Sequence, residues 1–278
     1  MSTHAAQTFM KLGVSSYTFG WAVGVVGHQP AQPMDENDLL DYVVAHDLWL
    51  LQIGDNLPLH GFDAARLECL AKRAKAENIE LEIGARGLTP QHLALYLGIA
   101  RQLDARLLRF VIDGKDYEPS LDEVASILRD VLNTLGEISI GIENHDRFLA
   151  RDLRAMIDRV GDERVGICLD TANSLGAGEG LREVADALAP VTLNLHIKDF
   201  SITRLSHMMG FEVSGRAAGS GMMNWPALIE QLESFNRCRS AVLELWTPPA
   251  DDIETTIEKE RDWAAQSLSY LKGLRYLR

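Results

Sequence analysis

Residues 191–200, VTLNLHIKDF, decide the fold. Val191, Leu193 and Leu195 make this a strand built for a dry interior, yet it runs out in His196, Lys198 and Asp199. Burying charge is costly unless the charge is paired or bound, so an apolar strand ending in ionisable groups needs a reason. The pattern recurs. ISIGIENHD runs from Ile138 into Glu143, VGICLD closes on Asp170, and SAVLELW carries Glu244 near its far end.

Working outward, eight short apolar runs can be counted: KLGVSSY, LWLLQIG, IELEIGAR, RLLRFVI, ISIGIEN, VGICLD, VTLNLHIKD and SAVLELW. Near-continuous hydrophobicity suits strands covered by helices outside and packed within. Between them lie amphipathic stretches with helix-start signals. Thr89-Pro90 precedes QHLALYLGIARQL, Ser120 with Glu123 reads as a capping box, and Asn224 precedes WPALIEQLESF. The segment from about Asp252 to Leu277 reads as a long terminal helix. Eight alternations without a linker predict the α/β class and a single (β/α)8 TIM barrel over residues 1–278. An open doubly wound sheet is the competitor, weakened because no obvious G-x-G-x-x-G follows the first strand. In a barrel the C-terminal strand ends converge on one mouth. Glu143, Asp170, His196 and Glu244 end the fifth to eighth runs, so they would share a rim.

Composition narrows the partners. With 27 basic and 40 acidic residues the formal charge is −13, which repels nucleic-acid backbones and anionic membrane surfaces. Hydrophobic residues at 46% suffice for a large core. Cys69, Cys168 and Cys238 form no C-x-x-C pair, and Cys168, inside an apolar run, reads as core. The opening MSTHAAQTFMK lacks a leader pattern and no long apolar segment occurs, so a cytoplasmic location is expected, with acidity compatible with a soluble homo-oligomer.

Three carboxylates and an imidazole form an oxygen-rich donor set for one divalent ion, Mn²⁺, Mg²⁺ or Co²⁺ first, with Zn²⁺ admissible. Without a cation, grouped carboxylates repel one another. A lone strand-end acid is usually a helix cap or a surface pair; four at equivalent ends favour a metal site.

The motifs GIENHD, ICLDTAN, NLHIKD, GSGMMNW and VLELW, in this order, resemble the xylose-isomerase-like TIM-barrel superfamily of sugar and sugar-phosphate isomerases and epimerases. The resemblance implies Glu143, Asp170, His196 and Glu244 as metal ligands, with Glu143 and Glu244 also acting as acid and base. The implied chemistry on a small carbohydrate passes through an enediolate, giving isomerisation or epimerisation. Loss of carbon dioxide instead of a proton leads to the same kind of enolate. SSYTFGWAVG, DNLPLH, IENHDRF, NLHIKDF and SHMMGF together resemble the subgroup that includes 3-oxo-isoapionate decarboxylases, which makes a 3-oxo sugar acid the second expectation. Endonuclease IV-type relatives are disfavoured, because LDTAN carries Asn173 where their pattern has a further histidine. A barrel that merely binds sugar would be expected to have lost a ligand, and all four are present.

Other residues are candidate substrate contacts: Lys198 by alternation beyond His196, His145 beside Glu143, Arg86 on the third run and His60 after the second. Arg216 lies in GFEVSGRAAGSG, read as a glycine-rich lid loop whose arginine clamps an anion. Asn144, Glu82 and Arg109 are further candidates, and Trp21 and Trp246 are candidate apolar walls.

Overall fold

The computed structural model describes residues 9–278; positions 1–8, part of the stretch read for a leader, lie outside the described residues. Strands β1 (Lys11–Ser15), β2 (Leu50–Ile53), β3 (Glu80–Arg86), β4 (Leu107–Val111), β5 (Ser139–Glu143), β6 (Val165–Asp170) and β7 (Thr192–Ile197) form the parallel wall, with β8 (Asp199–Arg204) and β9 (Phe211–Arg216) as an added hairpin and β10 (Ser240–Leu243) as the last stave. The barrel closes in the order β1-β10-β7-β6-β5-β4-β3-β2. This is the expected eight-stranded TIM barrel, and closure removes the open-sheet alternative.

Helices α1 (Gly20–Val23), α2 (Glu36–Ala45), α3 (Ala64–Ala76), α4 (Pro90–Gln102), α5 (Leu121–Val131), α6 (Ala150–Val160), α7 (Leu181–Leu188), α8 (Trp225–Phe235) and α9 (Ile253–Leu271) complete the fold. Their starts follow local chemistry. Thr89 accepts the amide of His92 at 3.1 Å with Pro90 in the first turn, and Asn224 accepts that of Ala227 at 3.3 Å. The capping box at Ser120 is only half made. Ser120 Oγ accepts from the Glu123 amide, but the Glu123 carboxylate takes the Tyr117 hydroxyl instead.

Strand residues such as Leu51, Ile83, Ile140, Ile167 and Leu195 are buried with helix residues such as Leu39, Leu93, Leu128 and Met156 in one apolar layer between barrel and helices. That accounts for the near-continuous apolar runs. Two expectations need correction. The terminal helix stops at Leu271, because the chain then turns back and pairs with the start of β1: Met10 N donates to Tyr276 O and Arg278 N to Met10 O. Half of the glycine-rich segment expected as a loop is β9, paired antiparallel with β8 from Asp199↔Arg216 to Arg204↔Phe211. Its alternating side chains satisfy a two-stranded ribbon, and the turn is made by Met208 (φ 67°) and Gly210 (φ 124°). Among the described residues no helix is long and apolar enough to cross a membrane.

Candidate metal and substrate site

Register brings the strand ends together. Asp170 on β6 pairs with His196 on β7, Glu143 on β5 pairs with Cys168, and the Glu244 amide extends β10 by bonding to Ile197 O at 2.9 Å. His196 Nδ1 stands 3.4 Å from Glu244 Oε1, 3.7 Å from Glu143 Oε2 and 3.9 Å from Asp170 Oδ2. All four side chains are buried. The donor atoms of Asp170, His196 and Glu244 lie within 4.8 Å of one another. Ligands about 2.1 Å from one ion are separated by roughly 3–4 Å, so this spacing suits a shared cation.

Two further observations bear on such an ion. His196 Nδ1 and Glu143 Oε2 are buried with no hydrogen-bond partner. His196 Nε2 meets Gln52 Oε1 at 2.7 Å, and an amide oxygen only accepts, so the ring proton sits on Nε2 when the imidazole is neutral. A bare nitrogen lone pair then faces three carboxylates, an arrangement that calls for a positive charge. Cys168 Sγ also falls near Glu143 and His196. Burial pushes its thiol well up, and it donates to Asn194 Oδ1, so it behaves as a neutral core thiol.

Each ligand-type residue is aimed by a neighbour. Asp170 Oδ1 caps the turn after β6, accepting the amides of Ala172 and Asn173 at 2.8 Å, and its Oδ2 receives Lys198 Nζ at 2.7 Å. Glu244 takes Ser15 Oγ at 2.9 Å and Lys198 Nζ at 3.1 Å. Burial opposes its charge, but the His196 ring, when protonated, and the Lys198 ammonium outweigh burial and hold its carboxyl well below the usual range. Glu143 accepts Asn173 Nδ2 at 2.7 Å, and Arg109 Nε lies 3.0 Å from its other oxygen. Arg109 is itself wholly inside the barrel. Gly54 and Gly84 clear the room: a Cβ at either position would sit 3.1 Å from the guanidinium. Arg109 and Arg86 both reach Asp55, and though burial pushes the Asp55 carboxyl up, these guanidiniums win and bring it down to about 2.

A cavity of about 140 Å³ opens above this cluster, lined by Lys198, Arg86, His145, Tyr17 and the apolar wall of Val111, Leu245 and Trp246, among others. Lys198 lies 5.3 Å from the Trp246 ring centroid. Two expected contacts are not among its lining residues. His60 sits in a short turn after β2, where its Nδ1 meets Tyr96 Oη at 3.0 Å and its ring packs edge-on to His92. Arg216 ends β9 with its guanidinium donating to Ser214 Oγ and Gly215 O. Of the remaining candidates, Asn144 ties β5 to β6 by bonding to the Asp170 backbone, Glu82 lies deeper in the barrel, and Trp21 donates to Thr247 O.

Sequence reading missed Tyr17, Asp55 and Gln52, and gave Asn173 no role at Glu143. Asp55 follows the second run by the same strand-end logic that found the acids. Gln52 carried no signal, being one amide in an apolar strand.

A family model described as xylose isomerase-like TIM barrel matches residues 87–274. The chain belongs to this family. A curated relative, 3-oxo-isoapionate decarboxylase from Pectobacterium atrosepticum, is 33% identical over 264 residues, covering 94% of this chain and 95% of that one. Among solved structures, D-psicose 3-epimerase in the presence of D-fructose superimposes with TM-score 0.70 at 15% identity, covering 95% of this chain and 98% of that one. A xylose isomerase-like barrel from Mycobacterium smegmatis in complex with magnesium gives 0.65 at 13% identity, covering 96% and 99%. At such identities these two structures speak to the fold alone.

Proposed function

We propose that this protein is a divalent-metal-dependent decarboxylase of a small 3-oxo sugar acid. The formal charge balance of the site carries the proposal. Four carboxylates, Asp55, Glu143, Asp170 and Glu244, meet three cations, Arg86, Arg109 and Lys198, leaving one negative charge with His196 neutral. A divalent ion turns that balance to one positive charge, which suits a monoanionic sugar acid better than a neutral ketose. The relative of known activity that spans nearly the whole chain supports the same reading.

Glu143, Asp170, His196 and Glu244 would hold the ion. When bound, it supplies Lewis-acid polarisation of the substrate's keto oxygen. The protein's own groups supply the rest. Decarboxylation breaks a C–C bond and sends the electron pair toward the keto group, so negative charge moves away from the carboxylate. Lys198, buried between Asp170 and Glu244, keeps cationic charge where charge accumulates, and Val111, Leu245 and Trp246 offer an apolar wall for a carboxylate that leaves as neutral carbon dioxide. No side chain has to take a proton from carbon first. That matters because Glu244 is held as an anion beside Lys198, which makes it a weak base. The α-carbon takes its proton from solvent once carbon dioxide has gone, while the Lys198 ammonium, held by Asp170 and Glu244, keeps its own.

Epimerisation or isomerisation, the first expectation from sequence, is kept as the second reading for one reason: Glu143 ends β5 and Glu244 directly follows β10, on either side of the Asp170 and His196 strands. Two carboxylates so placed can serve opposite faces of a substrate. The test is incubation with Mn²⁺ and panels of 3-oxo sugar acids and ketoses in heavy water. Carbon dioxide released only from the acids, abolished by chelation, is the expected result. Deuterium at an α-carbon of a ketose without gas release would replace it with the second reading.

A further inference from the structure

Below the site, inside the barrel, lies a buried polar layer. Gln52 on β2, Glu82 on β3, Asn194 on β7 and Ser240 on β10 are all buried. Gln52 Nε2 donates to Glu82 Oε2 at 3.0 Å and to Asn194 Oδ1 at 3.3 Å. Asn194 Nδ2 donates to Glu82 Oε2 at 3.2 Å and to Ser240 Oγ at 2.7 Å, and Ser240 Oγ donates to Glu82 Oε1. Every neighbour facing the Glu82 carboxylate is a donor.

This wiring has a direction. Because the Gln52 amino group faces two oxygens, its amide cannot turn over without setting oxygen against oxygen. Its Oε1 therefore points to His196 Nε2 at 2.7 Å. A neutral imidazole donates there and is left with its lone pair on Nδ1, the unpartnered atom that faces Glu143, Asp170 and Glu244. The alternative tautomer would set a lone pair against the Gln52 oxygen and leave a buried hydrogen bond unmade.

We infer that Gln52, oriented by Glu82 and Asn194, is a positioning residue that fixes the tautomer of His196 and so presents Nδ1 to the cation. Its consequence for metal rests on the ligand reading above. Partners of this kind typically change metal affinity 10–100-fold.

The test combines two readouts on protein labelled with ¹⁵N-histidine. In alkaline solution, where the imidazole is neutral, the metal-free wild type should show His196 protonated at Nε2, assigned by difference from a His196→Asn variant. Gln52→Met should populate both tautomers and weaken Mn²⁺ binding about 10–100-fold by direct titration. A wild-type His196 protonated at Nδ1, or an unchanged tautomer in Gln52→Met, would overturn the inference. Should Gln52→Met fail to fold, the wild-type spectrum alone decides. A wild type that holds the Nε2 proton yet binds no Mn²⁺ overturns the metal reading and leaves the tautomer assignment standing.

Discussion

Lys198 Nζ lies 2.7 Å from Asp170 Oδ2 and 3.1 Å from Glu244 Oε2, so one buried ammonium bridges two of the four ligand-type side chains. Burial opposes its charge, but Asp170 and Glu244 overcome burial and raise the ammonium pKa well above the usual lysine range. Lys198→Met should therefore leave two buried carboxylates uncompensated and cost about 3–5 kcal/mol in the metal-free protein. Mn²⁺ should raise the melting temperature of this variant more than that of the wild type. Equal shifts would show that Lys198 and the ion do not neutralise the same carboxylates. Turnover should fall by at least about 100-fold even with Mn²⁺ saturating, consistent with about 3 kcal/mol of lost transition-state stabilisation.

Glu244→Gln keeps shape and removes the charge. It should fold, bind Mn²⁺ at least about tenfold more weakly and lose most activity. A folded variant that turns over substrate normally would remove Glu244 from the chemistry.

The Glu260 carboxylate gives a pH prediction. It is buried on α9, accepts the amides of Trp21 and Ala22, and burial pushes it up to about 7 despite those bonds. A raised carboxyl binds its proton more tightly in the folded state. Its contribution to stability is thus complete below the unfolded value near 4.5 and is lost as pH rises through about 7. The full effect is of order 3 kcal/mol. Glu82, also pushed up to about 7 by burial, slopes the same way, so the comparison must be a difference. Urea denaturation at pH 5 and pH 8 should show a smaller loss of stability in Glu260→Gln than in the wild type.

Asp199 should prove structural. Its Oδ1 accepts the amides of Phe200 and Met223, and its Oδ2 accepts those of Gly219 and Gly221 and the Trp225 indole N–H. Asp199→Asn would turn an amino group toward donors and cost about 3 kcal/mol. Gly221→Ala should be comparably harmful, since its Cβ would lie 2.1 Å from Asp199 Oδ1. Denaturant titration and the rate of proteolysis within 199–216 would measure both.

The fold was legible because each strand is covered on both sides, which makes the eight apolar runs stand out. The ligand-type set was legible because ionisable groups ended those runs: Glu143, Asp170, His196 and Glu244 do meet within one cluster. Arg216 and His60 stand outside the cavity lining for a shared reason. Proximity in the chain to a rim strand does not fix where a side chain points; Arg216 bonds within its own ribbon and His60 leans on Tyr96. Gln52 and Asn173 were hidden because their roles lie in amide orientation, which depends on partners up to 144 residues away.

The β8–β9 ribbon joins the rim without belonging to the closed wall, since the staves run from β7 to β10 past it. Its strands can therefore lengthen, shorten or change composition while barrel stagger stays fixed. That makes the ribbon a natural place for selection, or an engineer grafting segments from relatives, to vary the rim without rebuilding the wall that holds the strand ends together.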